Sequence, residues 1–216
     1  MTNAPYLLKK HRSGARLGHD TTYDHMFLDG LEDAYEEGRA MGTFAQETAN
    51  DYQMTREEMD EYSIESLRRA NAAIDSGAFA DEVVPVTFST RKGEVTVEHD
   101  EQPGKGRPDK IPQLRPAFAR DGTITAATSS SISDGAAAVV LSRESVAKAN
   151  GQQPVAKIVA MAAHAQEPAQ FTVAPIGAIE KVLDKAGWSA DEVELWEVNE
   201  AFACVAMFAM RDIGIP

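Results

Sequence analysis

Residues 201–210 form an almost wholly apolar run, and the two residues before it are the polar pair Asn199-Glu200. The run is rich in Ala and Met and holds no Gly or Pro, so it predicts a helix buried on most sides. Just upstream, residues 193–198 predict a strand. A polar pair between a buried strand and a buried helix cannot easily reach water, and burying it is costly unless it is hydrogen-bonded. Asn is also a good N-cap, so capping is the plain alternative to a chemical role for Asn199.

The elements before this junction alternate. Pro175 opens a helix carrying Ile176, Ile179, Val182, Leu183 and Ala186, and Gly187 closes it. Residues 155–163, 136–141 and 123–127 predict strands, and Ser142 caps a short helix that ends at Asn150-Gly151. The small polar run 128–133 has the composition of a flexible linker. Its flanking strands instead place it between core elements, where small side chains let a backbone or a ligand approach closely. Strand, helix, strand, helix is the pattern of an α/β layer, to which the first half of the chain adds a mixed segment.

In that first half the clearest helix starts at the capping-box pair Thr55 and Glu58, carries Met59, Tyr62, Leu67, Ala70, Ala73 and Ile74 at helical spacing, and stops at Gly77. Residues 44–52 predict another helix, and residues 29–37 a short acidic one ending at Gly38. Residues 82–89, with Pro85 hinting at an edge, and the alternating Val95 and Val97 flank the turn Arg91-Lys92-Gly93-Glu94, so a hairpin is expected. Residues 100–116 hold four prolines, two glycines, Lys105, Arg107, Lys110 and Arg115; this is an ordered loop or linker, or a loop that contacts an anion. The basic cluster Lys9, Lys10, His11, Arg12 and Arg16 is open to the same two readings, solvated loop or phosphate contact.

A net charge of −13 over 216 residues argues against general nucleic-acid binding, yet allows an anionic small ligand on a local basic patch. The single cysteine, Cys204, excludes an intramolecular disulfide and speaks against a Cys-based zinc site, which fits a reducing cytoplasm. No apolar run reaches transmembrane length, and the first residues do not form a signal peptide, so no membrane association is expected.

Asn199-Glu200-Ala201-Phe202-Ala203 resembles the NEAFA motif of the thiolases, acyl-CoA:acetyl-CoA C-acetyltransferases. Leu114-Arg115-Pro116-Ala117-Phe118 resembles the family's LRPAF segment, and Gly122 through Leu141, with Asp134-Gly135-Ala136-Ala137-Ala138, its GTVTAGNASGLNDGAAA stretch. Ala4-Pro5-Tyr6, Asp29-Gly30-Leu31 and Met41-Gly42 fall in the family's order, so the likeness covers essentially the whole chain. It implies an α/β fold, part of a five-layered α/β/α/β/α core, with an inserted mixed α+β loop domain that binds CoA and helps form dimers or tetramers. Residues 1–115 would be the loop domain, 116–150 the end of the first thiolase half, and 151–216 the start of the second.

The implied activity is transfer of acetyl or acyl groups between thioesters and CoA through a cysteine acyl-enzyme, in fatty acid metabolism. CoA and acetyl-CoA would be substrates, with no covalently bound cofactor and no metal. By resemblance Asn199 holds a water that, with a histidine of the family's GHP motif, forms an oxyanion hole, a task suited to an amide that is neutral and both donates and accepts. Glu200 would be structural or stand behind the reacting groups. Ser130 aligns with the serine on the pantetheine arm of CoA; Met41, Phe118 and Phe202 match residues lining the acyl or pantetheine tunnel, or are plain core; Lys105 and Arg107 lie near the basic phosphate-contacting position. The family's nucleophilic-cysteine segment, its GHP motif and its CxGGG motif are not in this sequence. Cys204 is expected to be a buried core thiol, and His164 matches no catalytic motif. Ala40 stands where many members have a histidine, and Thr128-Ser129-Ser130-Ser131 replaces Asn-Ala-Ser-Gly. Three readings follow: the central part of an acetyl-CoA acetyltransferase, a non-catalytic CoA-binding or oligomerisation fragment, or a sterol-carrier-type relative.

Overall fold

The structure, a computed structural model, describes residues 2–215. In chain order its elements are β1 (Tyr6–Leu7), β2 (Tyr23–Asp24), α1 (His25–Gly30), α2 (Met41–Asp51), α3 (Arg56–Ser76), β3 (Val86–Thr90), β4 (Gly93–Val97), α4 (Glu101–Lys105), α5 (Glu144–Ala149), α6 (Ala174–Ala186) and α7 (Ala203–Ile213). Short 3-10 turns lie at His11–Ser13, Pro108–Gln113, Pro168–Val173 and Ala190–Glu192. The residues fall into two units: one takes the chain up to Phe44, Ile132–Asn199 and the residues from Met207 on; the other takes Ala45–Ser131 and Glu200–Ala206.

In the second unit, α3 begins and ends where local chemistry dictates. The Thr55 hydroxyl accepts the Glu58 N–H at 3.2 Å while the Glu58 carboxylate accepts the Thr55 N–H at 2.8 Å, and Gly77 stops the helix at φ 69°. Arg56 pairs at 2.7 Å with the buried Asp60 and donates to the Ile111 carbonyl at 2.9 Å, which fastens the Pro108–Gln113 turn to α3. The proline-rich stretch is thus ordered. The expected hairpin forms as β3 and β4, antiparallel, with Val86 opposite Val97 and Phe88 opposite Val95. Thr87 and Thr96 face each other across the same register and share a 2.8 Å hydrogen bond. All four apolar residues of the hairpin are exposed.

In the first unit, β1 and β2 pair antiparallel, and the Asp24 side chain caps α1 by accepting the Met26 N–H at 2.9 Å. Pro175 lies in the first turn of α6, and Gly187 ends it at φ 70°. Gly177 lets α6 pass close to His164: a Cβ at 177 would stand 2.6 Å from the imidazole.

Several expectations are corrected. No helix spans 29–37: α1 ends at Gly30, and the Asp33 carboxylate then accepts the N–H groups of Tyr35 and Glu36, competing with helical bonding, while Glu32 bridges to Ala40. The cap of α5 is Arg143, with no side-chain bond; the Ser142 hydroxyl turns to the Arg143 carbonyl instead. Residues 136–141, 155–163 and 193–198 make no ladder among the described residues, and Val140, Val155 and Leu195 are largely exposed. Their apolar patterns suit a strand, but a strand exists only with a neighbour that takes its N–H and C=O groups. Residues 123–127 form a loop bonded by side chains rather than a strand.

Helix α7 forms as expected, with residues 202–206, 208 and 209 buried. It starts at Ala203, however, so Asn199 is not its cap. Asn199 and Glu200 are both exposed, which overturns the argument that the pair cannot reach water; in the segment before it Val193, Trp196 and Val198 are half-buried and the other residues exposed.

Candidate functional site

The Ser-rich loop is held by its own hydroxyls. Thr128, which is buried, accepts the Thr125 N–H at 2.9 Å through its side chain, and the Ser129 hydroxyl donates to the Thr125 carbonyl at 2.8 Å. This leaves the backbone of 128–130 free to face residues 201–203. Ser130 N–H donates to the Ala201 carbonyl at 3.0 Å, and Ala203 N–H donates to the Thr128 carbonyl at 2.9 Å, around a bridge between Ser129 and Phe202. Beside it, the rings of Phe118 and Phe202 meet edge to face at 5.9 Å and 82°. Ser130 itself is exposed, next to half-buried Ser129 and buried Thr128.

A second set of contacts fixes the approach to this loop. Gln46 on α2 is buried; its amide oxygen accepts the N–H groups of Thr123 and Ile124 at 2.9 and 3.0 Å, and its amide nitrogen donates to Asn50 and to the Thr123 hydroxyl at 2.9 and 3.0 Å. Gly122 is required beside it, because a Cβ there would lie 2.5 Å from the Gln46 oxygen and 3.1 Å from the Ala119 carbonyl.

The third set involves Glu200. One carboxylate oxygen accepts from the Tyr62 hydroxyl and the other from the Ser66 hydroxyl, both at 2.8 Å. Tyr62 and Ser66 are one helical turn apart on α3 and therefore share a face. Burial, first, and then the hydrogen bond to Glu200 and its negative charge hold the Tyr62 phenol well above its usual range, so it donates at any working pH.

The second unit thus brings together Ser130, Phe118, Phe202 and Glu200. Lys105 closes α4 and Arg107 follows it, both exposed, with the Arg107 guanidinium bonded to the Gly106 carbonyl at 2.9 Å. Met41 and Asn199 belong to the first unit; Met41 is half-buried at the start of α2, its N–H on the Leu31 carbonyl at 2.9 Å, and Asn199 is exposed. In the basic cluster near the start, Lys9 stands 3.8 Å over the Tyr23 ring and 3.9 Å from Glu37. A cleft of about 220 Å³ in the first unit is lined by Asp33, Glu36 and Glu167 with Tyr35 and Phe44; its carboxylates oppose an anionic ligand. Cys204 is fully buried, and burial pushes its thiol up to about 12. Among the described residues there is no group of three His, Cys, Asp or Glu side chains that could hold a metal ion, and no helix is long and apolar enough to cross a membrane.

Sequence reasoning placed Tyr62 in the apolar stripe of α3 and missed its hydroxyl; it missed Ser66 and Gln46 altogether. The recoverable signal for one pair was local: Tyr62 and Ser66 are polar tips at i and i+4, whereas Gln46 beside Glu47 carries no such mark.

Residues 1–145 match the family model for the thiolase N-terminal domain, and residues 152–216 that for the thiolase C-terminal domain. An acetyl-CoA acetyltransferase of Yarrowia lipolytica is 44% identical over 215 residues, covering 100% of this chain and 53% of the relative. One of Rhizobium meliloti is 45% identical over 204 residues, covering 94% of this chain and 52% of its own. Among solved structures, the Bacillus anthracis acetyl-CoA acetyltransferase superposes with a TM-score of 0.93 at 38% identity, covering 98% of this chain and 54% of the other. A thiolase of Ascaris suum in complex with coenzyme A superposes with a TM-score of 0.90 at 38% identity, covering 100% and 55%. The chain therefore shares their α/β fold, and it spans about half the length of these relatives.

Proposed function

Because the chain belongs to the thiolase family, we propose that it is the central part of an acetyl-CoA C-acetyltransferase, which passes acetyl or acyl groups between thioesters and CoA through a cysteine acyl-enzyme. CoA and acyl-CoA are then its substrates, and no prosthetic group takes part. The observation that carries the reading is the bonding of the 128–130 loop to residues 201–203, which joins the two most family-like segments of the sequence. In this reading Ser130, which is exposed and bonded through its backbone to Ala201, contacts the pantetheine arm; Met41, Phe118 and Phe202 line the tunnel; Lys105 and Arg107 meet the phosphates. Asn199 holds the water of an oxyanion hole, and Glu200 supports the site. Residues 1–115 act as the loop domain, with 116–150 and 151–216 belonging to the two thiolase halves.

The apolar face of the β3–β4 hairpin supports self-association, as a dimer or tetramer, through a second copy of the chain. The lone buried thiol supports a place in the reducing cytoplasm, and a role in fatty acid metabolism follows from the activity.

The test is thiolysis of acetoacetyl-CoA. In a protein that joins this chain to the family's nucleophilic-cysteine, GHP and CxGGG segments, Asn199→Ala lowers turnover by about 10²–10³-fold, the scale of one oxyanion-hole donor; near-normal turnover in that variant removes the assigned role. One observation favours a second reading, a non-catalytic CoA-binding or oligomerisation module: the only thiol of this chain is buried and far from ionising. A native protein whose intact mass matches the 23.4 kDa of this chain, and which binds CoA without forming an acetyl-enzyme, selects that reading; a heavier species that gains an acetyl group from acetyl-CoA selects the first.

A further inference from the structure

The Glu200 carboxylate is exposed, yet each of its oxygens accepts a hydroxyl from α3, a helix 138 and 134 residues away in the sequence. A carboxylate held at both oxygens cannot rotate about its terminal torsion, so its backbone is tethered to the helix face that carries Tyr62 and Ser66. The next residue in the chain, Ala201, offers its carbonyl to Ser130 N–H, and Ala203 N–H returns to the Thr128 carbonyl. The Ser129–Phe202 bridge is isolated, with no ladder continuing on either side, so few bonds set its register. Such a bridge opens locally when one of its anchors is lost.

We propose that Tyr62 and Ser66 are positioning residues that act through Glu200: they pin residues 200–203 and thereby hold the 128–130 loop, with Ser130, in its ligand-contacting geometry. The value of that geometry for CoA rests on the function proposed above; the clamp itself does not. Neither hydroxyl contacts the reacting groups. An ordinary surface pair would leave the loop indifferent to its removal. The clamp instead makes the loop depend on two hydroxyls of α3, so the helix that carries them sets how firmly the loop receives its ligand.

Amide hydrogen exchange of the 216-residue chain tests this. In Tyr62→Phe/Ser66→Ala, the amides of Ser130 and Ala203 exchange about tenfold faster, equivalent to about 1.4 kcal/mol, while amides in the middle of α3 keep their protection. Glu200→Ala gives the same acceleration, and adding Tyr62→Phe to it changes nothing further, because the hydroxyl acts only through the carboxylate. Ser66→Thr, which keeps the hydroxyl, restores protection in the Tyr62→Phe background to that of Tyr62→Phe alone. Should the double variant lose protection throughout α3, the single variant Tyr62→Phe is read in its place, with the same pair of amides as the criterion. Unchanged exchange at Ser130 and Ala203 overturns the proposal. CoA titrated by calorimetry distinguishes the two layers: accelerated exchange with about tenfold weaker CoA binding supports both, and accelerated exchange with unchanged CoA affinity upholds the clamp while removing Ser130 from the CoA site.

Discussion

Replacing Gln46 by leucine removes the acceptor for two backbone amides while keeping the side chain's bulk. Ile124, whose N–H then has no partner, is fully buried, and an orphaned buried donor costs about 1–3 kcal/mol. The Thr123 amide is only half-buried and can take up water, so it adds a smaller amount; together with the lost bond to Asn50 we expect about 3 kcal/mol. Gly122→Ala reaches the same contact from the other side, since its new Cβ would stand 2.5 Å from the Gln46 oxygen and push the amide away. The two substitutions therefore attack one interaction, and the double variant should lose clearly less than the sum of the singles. The assay is urea unfolding with exchange of the Ile124 amide as a local probe. A loss under about 0.5 kcal/mol for Gln46→Leu, the usual scale for a neutral surface site, refutes the reasoning, as does simple additivity in the cycle.

Cys204 should resist a thiol reagent at pH 8 in the native protein and react at once in denaturant, because its thiol is buried and its ionisation is pushed up to about 12; fast native labelling contradicts its placement. Tyr62 holds its proton more tightly folded than unfolded, so its contribution is fully present below the ordinary phenol value of about 10 and is lost as pH climbs toward the raised folded value. Stability should accordingly fall above about pH 10, by well under the full ~1.4 kcal/mol per pH unit because the ring is half-exposed, and Tyr62→Phe should flatten that limb. Placing a lysine at Phe88 puts a charge in the middle of the hairpin's apolar face; a shift to a smaller species in light scattering is expected, and an unchanged mass excludes that face from self-association.

What was legible in the sequence was local. Thr55, Glu58 and Gly77 are close enough along the chain to define α3 by themselves, and Arg91-Lys92-Gly93 between alternating residues defines the hairpin. The segments 136–141, 155–163 and 193–198 have the composition of strands, but composition does not name the partner whose backbone completes a ladder, and none of the described residues pairs with them. Asp33 shows the reverse case: its segment has a helical composition, but its carboxylate is close enough to bind the N–H groups of Tyr35 and Glu36. Ser130, Phe118 and Phe202, whose segments the structure brings together, each lie in a short stretch with its own signature, whereas Gln46 and Ser66 are ordinary polar letters whose partners are many tens of residues away.

In the Asn199-Glu200 pair, Glu200 is bonded for a reason other than burial. Burial was expected to force hydrogen bonds on it, yet Glu200 is exposed and could satisfy its carboxylate with water alone. No desolvation penalty on Glu200 itself therefore explains why Tyr62 and Ser66 point at it. Ordering two side chains against a carboxylate that water would serve equally well costs conformational entropy and returns little stability at a surface. In the clamp proposed above, the return lies in what the ordering fixes: next to Glu200 is the Ala201 carbonyl, which accepts the Ser130 N–H. The same logic separates Glu200 from Gln46: Gln46 spares buried amides, so its loss should register as stability, while loss of the Glu200 contacts should register as looser geometry in one loop with global stability nearly unchanged.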